Sequence, residues 1–289
     1  MSIAGRPARK STQHTAARRT PVRRGSSFRR TRKSWLTRLL QYVPGWVIWL
    51  LGTAIAIAYV VFFAQVVLHF AMPRLASIGL APEPSNYPVR GIDISHYQER
   101  IDWDALANAT LSGHKLSFVI MKATEGSTLA DHYFEKHLQK AKDKGFVCGA
   151  YHFFIPNGKP ETQARFFISR VKLRKGDLPP VLDVEKSGRL SVSELQREVR
   201  VWLDIVEKHY GVKPIIYANY SYTKKYFSTP EFASYPLWIA HYYKDELEYQ
   251  GNWAMWQYTD RGSVEGIDEY VDCNVFNGTR MELQGLCLP

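Results

Sequence analysis

Cysteine occurs only three times in this 289-residue chain, and glycine-rich loops, paired cysteines and an H-E-x-x-H pattern are missing. Each absence removes a class of chemistry. With no glycine cluster after the first candidate strand, no row of backbone amides is offered to a phosphate, which argues against a nucleotide-binding sheet. Without an H-E-x-x-H or a cysteine pair, zinc lacks its ordinary donor set, while a calcium site built on carboxylates stays open. No cofactor is implied. An odd number of cysteines, Cys148, Cys273 and Cys287, cannot pair completely within one chain. Cys148 lies in the apolar run FVCGAYHFF and reads as a buried free thiol, whereas Cys273 and Cys287 are available to bridge in an oxidising compartment.

Negative charge is absent from residues 1–38, which hold twelve Arg and Lys between Arg6 and Arg38. Taking these twelve from the net charge of +11 leaves −1 on the remainder, so the basic pI belongs to the tail. Residues 39–73 then carry no Asp, Glu, Lys or Arg. The heart of that run, residues 47–70, exceeds the roughly 20 apolar residues that span a bilayer. A cleaved signal peptide would have a shorter apolar region, of about 7 to 15 residues, ending in a small-residue site. The reading is therefore an uncleaved transmembrane helix over 39–73, with Trp35, Trp46 and Trp49 at its interfacial end. The positive-inside rule puts the N-terminus in the cytoplasm and residues 74–289 in the periplasm or outside the cell. Arginines among serines and threonines also suit nucleic-acid phosphates, but a place directly before a membrane span explains them without that partner. Anionic lipid headgroups would attract the same charge. Too few apolar residues remain for the tail to fold, so it is expected to be disordered.

Residues 74–88 contain three prolines and read as a linker to a domain over 89–289. Candidate strands there cover 89–95, 116–124, 146–154, 180–185, 213–219, 236–242 and 254–259, with helical patterns at 131–144, 160–172 and 193–209. In the last helix Leu195, Val199, Trp202 and Val206 form one stripe, and Ser191 with Glu194 forms a capping box. Alternation of strands and helices implies an α/β fold with parallel strands, either an open sheet or a barrel. About 200 residues and at least seven strands favour the barrel, with loops rather than full helices joining the later strands.

The stretch LPPVLDVEKSG, residues 178–188, places two carboxylates, Asp183 and Glu185, in one apolar strand. Side chains at i and i+2 leave a strand on the same face, about 6.6 Å apart at the backbone. At the C-terminal end of a barrel strand they would face the active-site mouth, as would Asp93 in the first strand. Two such neighbours cannot both ionise freely in a water-poor cleft, so one holds a proton near neutrality. An acid beside an anion is the requirement for glycoside cleavage. The plainer alternative is an ion pair of either acid with Lys122 or Arg189. Tyr97, Tyr151, Tyr217, Tyr220, Trp238, Tyr242, Trp256 and Tyr258 lie at or near strand ends, where flat rings would carry sugar faces, although each equally suits a barrel core.

Several segments in order carry a family resemblance: GIDISHYQ with IDW (91–103), FVIMKATEG (118–126), GAYHFF (149–154), PPVLDVE (179–185), PIIYANYSY (214–222), LWIAHY (237–242), MWQYTDRGSVEGID (255–268) and VDCNVFNG (271–278). Over about residues 90–279 the chain resembles glycoside hydrolase family 25, the Chalaropsis-type lysozymes, which are N-acetylmuramidases. The resemblance implies a modified TIM-like β/α barrel with fewer helices than strands, and hydrolysis of the β-1,4 bond between N-acetylmuramic acid and N-acetylglucosamine of peptidoglycan. It further implies Glu185 as acid/base and Asp183 as its partner, with Asp93 and Asp272 completing a catalytic set. Tyr97, Lys122, Glu125, Tyr151, His152, Tyr217, Trp238 and Gln257 are candidates for substrate binding. Whether Asp183 attacks the sugar or positions the substrate's acetamido group is open at this point. Two other readings leave the same acids: a hydrolase of another N-acetylhexosamine polymer such as chitin, and a non-catalytic envelope glycan-binding protein.

Overall fold

The structure, a computed structural model, describes residues 44–75 and 83–289. The basic tail, Trp35 and the middle of the proline-containing linker lie outside the described residues. Helix α1 (Gly45–Leu75) is apolar on every side, so no amphipathic face directs it onto a protein core. Its segment Gly45–Gln65, with a mean hydropathy of 2.4, is long and apolar enough to cross a membrane. Trp46, Trp49, Ile55 and Phe62 are all exposed along it.

The domain is a closed eight-stranded barrel. Strands β1 (Val89–Ile94), β2 (His114–Glu125), β3 (Val147–Phe153), β4 (Val181–Asp183), β5 (Ile215–Asn219), β6 (Leu237–Ala240) and β7 (Met255–Val264) pair with their sequence neighbours in parallel. Strand β8 (Ile267–Phe276) lies between β7 and β1, antiparallel to both, and closes the ring. The strand reading of the sequence stopped at 259 and did not include β8. Its direction has a simple cause: only Glu265 and Gly266 separate β7 from β8, and a two-residue turn joins antiparallel strands, whereas a parallel return needs a crossover of a dozen residues or more. Gly266 sits at φ +95°, and a Cβ there would stand 2.5 Å from the Asp102 carbonyl oxygen.

Alternation along the strands makes two cores. Phe118, Ile120, Val181, Ile215 and Met255 fill the barrel, while Val119, Met121, Leu182 and Ile216 point outward into the helix layer. That layer consists of α2 (Trp103–Asn108), α3 (Phe134–Asp143), α4 (Pro160–Arg170) and α5 (Val192–Tyr210). In α5 Leu195, Val199, Trp202 and Val206 are all buried, the Ser191–Glu194 capping box is formed, and Gly211 ends the helix in the left-handed region at φ +73°. After β5 only a short turn and a π-helical segment, Thr223–Phe227, follow, so helices are fewer than strands. Helix α6 (Arg280–Leu286) places Leu283 in the inner core at the end opposite the strand C-termini.

Cys273 and Cys287, which the sequence leaves available to bridge, do not pair; all three thiols are free. The barrel wall explains this. Cys273 faces the outer core from β8, whereas Cys287 packs against the inner core at the end of α6. Burial raises the Cys148 and Cys273 thiols to about 12 and that of Cys287 to about 11. Alkylation without reductant should therefore label all three cysteines after denaturation and proceed slowly on the native protein; mass spectrometry reads both. A second expectation concerns Gly91, which lies opposite Phe118, where an added Cβ would meet the ring at 2.3 Å. Gly91→Ala should cost about 1–3 kcal/mol and lower the thermal midpoint.

Candidate active site

Inward-facing residues at or just past the C-terminal ends of the parallel strands, joined by Asp272 of the antiparallel β8, converge on one cavity of about 110 Å³, lined by Asp93, Tyr151, Asp183, Glu185, Tyr217, Trp238, Tyr242, Gln257 and Asp272. Strand β4 is shorter than the sequence suggests: it ends at Asp183, and Glu185 lies beyond it. The chain nonetheless stays extended there, because the Phe154 amide donates to the Asp183 carbonyl and the Val184 amide to the Tyr217 carbonyl, each at 2.9 Å. Both acids thus keep to one face. Asp183 is buried in the cavity, while Glu185 stands exposed.

A polar network lies across the cavity from this pair. Asp93 and Asp272 are direct cross-strand partners in the β1–β8 ladder. The Asp93 Oδ2 accepts from Gln257 Nε2 at 2.8 Å and from Asn274 Nδ2 at 2.7 Å. Each amide is held at its other end: Trp238 Nε1 donates to Asn274 Oδ1 at 2.8 Å, and the Tyr217 and Tyr242 hydroxyls donate to Gln257 Oε1 at 2.7 and 2.8 Å. Asn274 did not figure among the sequence candidates, and Tyr242 only as one ring among several. Period-two alternation from Asp272 would have put Asn274 on the same face, had β8 been recognised as a strand.

Burial raises the carboxyls of Asp93, Asp183 and Asp272 above the usual carboxylate range, and partial desolvation at the cavity rim raises that of Glu185 from its ordinary value. For Asp272 the neighbouring Asp93 adds to that shift; for Asp183 the charges of Glu185 and Asp93 add to it, and Lys122 opposes it. For Glu185, Lys186 and Lys122 pull the other way. Asp183 Oδ1 is buried without a hydrogen-bond partner among the described residues. Tyr151, half-buried in the wall, has a phenol pushed well above its ordinary value, so it is a neutral donor throughout the working range.

Other candidates from the sequence lie elsewhere. Lys122 forms an ion pair with Glu125 at 2.6 Å, and acts on Asp183 and Glu185 through its charge. His152 departs from the expected role. It is fully buried on the outer face of β3, with Nδ1 2.7 Å from Thr124 Oγ1, Nε2 3.2 Å from Gln163 Oε1, and its ring stacked on Trp202. Tyr151 and His152 are adjacent in a strand and cannot both face inward. Burial lowers the His152 pKa to about 4, leaving a neutral link between barrel and helices. Tyr97 is 72% exposed, its ring tilted at 33° against that of His96 outside the cavity wall. Trp256 and Tyr258 face the outer core, and Tyr220 stacks on His241. Trp238, Tyr217 and Gln257 do reach the cavity, with their polar atoms engaged in the network described above. Among the described residues no group of three His, Cys, Asp or Glu has a geometry to hold a metal ion.

The family model described as Glycosyl hydrolases family 25 matches residues 92–267. A protein named YegX of Escherichia coli strain K12 is 46% identical over 202 residues, covering 70% of this chain and 74% of that protein. Lysozyme M1 of Streptomyces globisporus is 32% identical over 213 residues, covering 68% and 71% respectively. Among solved structures, a family 25 glycosyl hydrolase from Bacillus anthracis superposes with a TM-score of 0.63 at 34% identity, covering 70% of this chain and 95% of that one. A bacterial lysozyme from Streptomyces coelicolor gives 0.62 at 30% identity, covering 70% and 98%. The match covers 95% and 98% of those two chains, so in them a barrel of this size folds without an added segment. Replacing Lys122 with Met should raise the titration of Asp183 and Glu185, since a cation that favours their charged forms is lost; infrared difference spectroscopy across a pH series would read the upward shift. An unchanged titration would mean that Glu125 already neutralises Lys122.

Proposed function

Because the chain belongs to the glycosyl hydrolases of family 25, we propose that this glycoside hydrolase is a membrane-anchored muramidase, cleaving peptidoglycan between N-acetylmuramic acid and N-acetylglucosamine. The observation that carries the reading is the placing of two raised carboxyls, Glu185 in the open and Asp183 in the cavity, beside the buried Asp93–Asp272 pair. Glu185 donates its proton to the glycosidic oxygen as the bond to the anomeric carbon breaks, and then, as the carboxylate, takes a proton from the incoming water. The remaining anionic charge of the site opposes the positive charge that develops on the sugar ring. Asp183 Oδ1, buried without a partner, is the acceptor we assign to the substrate's acetamido N–H, which would aim the acetamido oxygen at the anomeric carbon and retain its configuration. Tyr151 is assigned to substrate hydroxyls.

The remaining parts of the chain fit an enzyme held at the membrane. Residues 1–38 would be a cytoplasmic basic tail, 39–73 the anchor and 74–88 the linker, with the barrel at 89–289 in the periplasm or outside the cell. Helix α1 has the length and apolarity such an anchor needs. The name of the Streptomyces globisporus relative, Lysozyme M1, supports peptidoglycan as the substrate.

Digestion of purified peptidoglycan, followed by reduction and mass spectrometry of the new ends, tests the proposal. Reduced muramic acid ends are expected from the wild type, and Glu185→Gln should lower their formation roughly 10²-fold or more while the protein stays folded. Ends of another kind, or turnover of chitin in place of peptidoglycan, would reject the substrate. Activity should be present below the raised pKa of Glu185 and fall as pH rises through it, because only the protonated form can serve the leaving oxygen.

A further inference from the structure

Going one step deeper into the proposed active site, and resting on that reading, we infer that Asp93 and Asp272 share a single proton. Asp272 is the acid and Asp93 the anion, and Trp238, Asn274, Tyr217, Tyr242 and Gln257 are the positioning residues that enforce this assignment.

The inference follows from which atoms can donate. An indole N–H is a donor only, so the Asn274 atom 2.8 Å from Trp238 Nε1 must be its carbonyl oxygen. The Asn274 amide nitrogen is thereby turned to Asp93 Oδ2, at 2.7 Å. The same holds for Gln257. Two tyrosine hydroxyls converge on its Oε1, and reversing the side chain would set its carbonyl oxygen against a carboxylate oxygen, so its Nε2 faces Asp93 Oδ2 at 2.8 Å. Two N–H donors therefore occupy one oxygen of Asp93, and that oxygen holds no proton. A charged acceptor gains more from such donors than a neutral one, which favours ionised Asp93.

Asp272 has no comparable support. It stands directly across the ladder from Asp93, and the charges of Asp260 and Glu185 act on it as well. The other titratable groups facing Asp93 or Asp272 are also acids: Asp183, Glu185, and the phenols of Tyr151, Tyr217 and Tyr242. A second negative charge there would meet only like charge, so the pair keeps one proton, and the amides on Asp93 leave it on Asp272. The direction of the shifts agrees. Burial raises both; the amide donors hold Asp93 to about 7, while the charge of Asp93 helps raise Asp272 to about 9. With Asp272 neutral beside it, Asp93 supplies one fixed negative charge.

The test uses the barrel segment, residues 83–289, labelled with ¹³C in its aspartate side-chain carboxyls. Asp93→Asn and Asp272→Asn assign the two resonances. At about pH 8, between the two values, we expect Asp272 at the protonated position and Asp93 at the ionised one. Trp238→Phe removes the donor that orients Asn274, and Asn274→Leu removes the amide itself. Each should raise the pH at which Asp93 takes up a proton by about one unit, the size expected for one hydrogen bond to a charged group. The acidic limb of the activity profile should move up by the same amount. Two ionised carboxyls at that pH, or a proton resident on Asp93, would overturn the assignment. A folded Trp238→Phe or Asn274→Leu variant with unchanged titration would overturn the positioning role. The carboxyl resonances need no turnover to be read, so failure to cleave peptidoglycan would count against the muramidase proposal and leave this one standing.

Discussion

The turn at Glu265–Gly266 is the constraint on which the domain depends. Seven strands run parallel in sequence order, and two residues cannot carry the chain back for an eighth parallel strand. Strand β8 must therefore turn back along β7, and in doing so it fills the gap between β7 and β1 and removes both sheet edges. Gly266 permits this because its backbone lies in the left-handed region and its missing side chain lets the hairpin tip meet Asp102, whose amide donates to the Gly266 carbonyl at 2.9 Å. Closure also has a chemical result. It sets Asp272 directly across from Asp93, two acids 179 positions apart in the chain.

Alternation then sorts chemistry from scaffold. Within YHF of β3, Tyr151 turns to the cavity and His152 to the helix layer, where its burial against Trp202 keeps it uncharged. Within DCN of β8, Asp272 and Asn274 face inward and Cys273 outward. Register shifts in the β7–β8 ladder accompany this arrangement, and such bulges re-aim side chains beside functional sites. Burying acids in this way is costly unless each is partnered or neutral. The molecule meets that cost unevenly: Asp93 receives two amide donors, whereas Asp183 Oδ1 has none among the described residues and is left for what enters the cavity.

Local patterns in the sequence carried much of the molecule. The stripe and capping box of α5, the unbroken apolar run of α1, and the placing of Asp93, Asp183 and Glu185 at or just past strand ends all follow from local sequence, from spacings of two to four residues or from one continuous run. These depend on neighbours in the chain, and the physics of helix and strand is fixed at that range. Motif order extended the reading to the family, which the match over residues 92–267 bears out.

Tertiary structure alone decided what depends on partners far apart. No local pattern gave the antiparallel closure by β8, the separation of Cys273 from Cys287 by the barrel wall, or the outward turn of His152. The network through Trp238, Asn274, Asp93, Gln257, Tyr217 and Tyr242 likewise joins five strands and one residue two positions past the end of β6. Residue types fixed which groups were available to hold a charge or a proton. Where each proton and charge can reside depends on burial and on the orientation of donors from other strands, and those exist only once the barrel has closed.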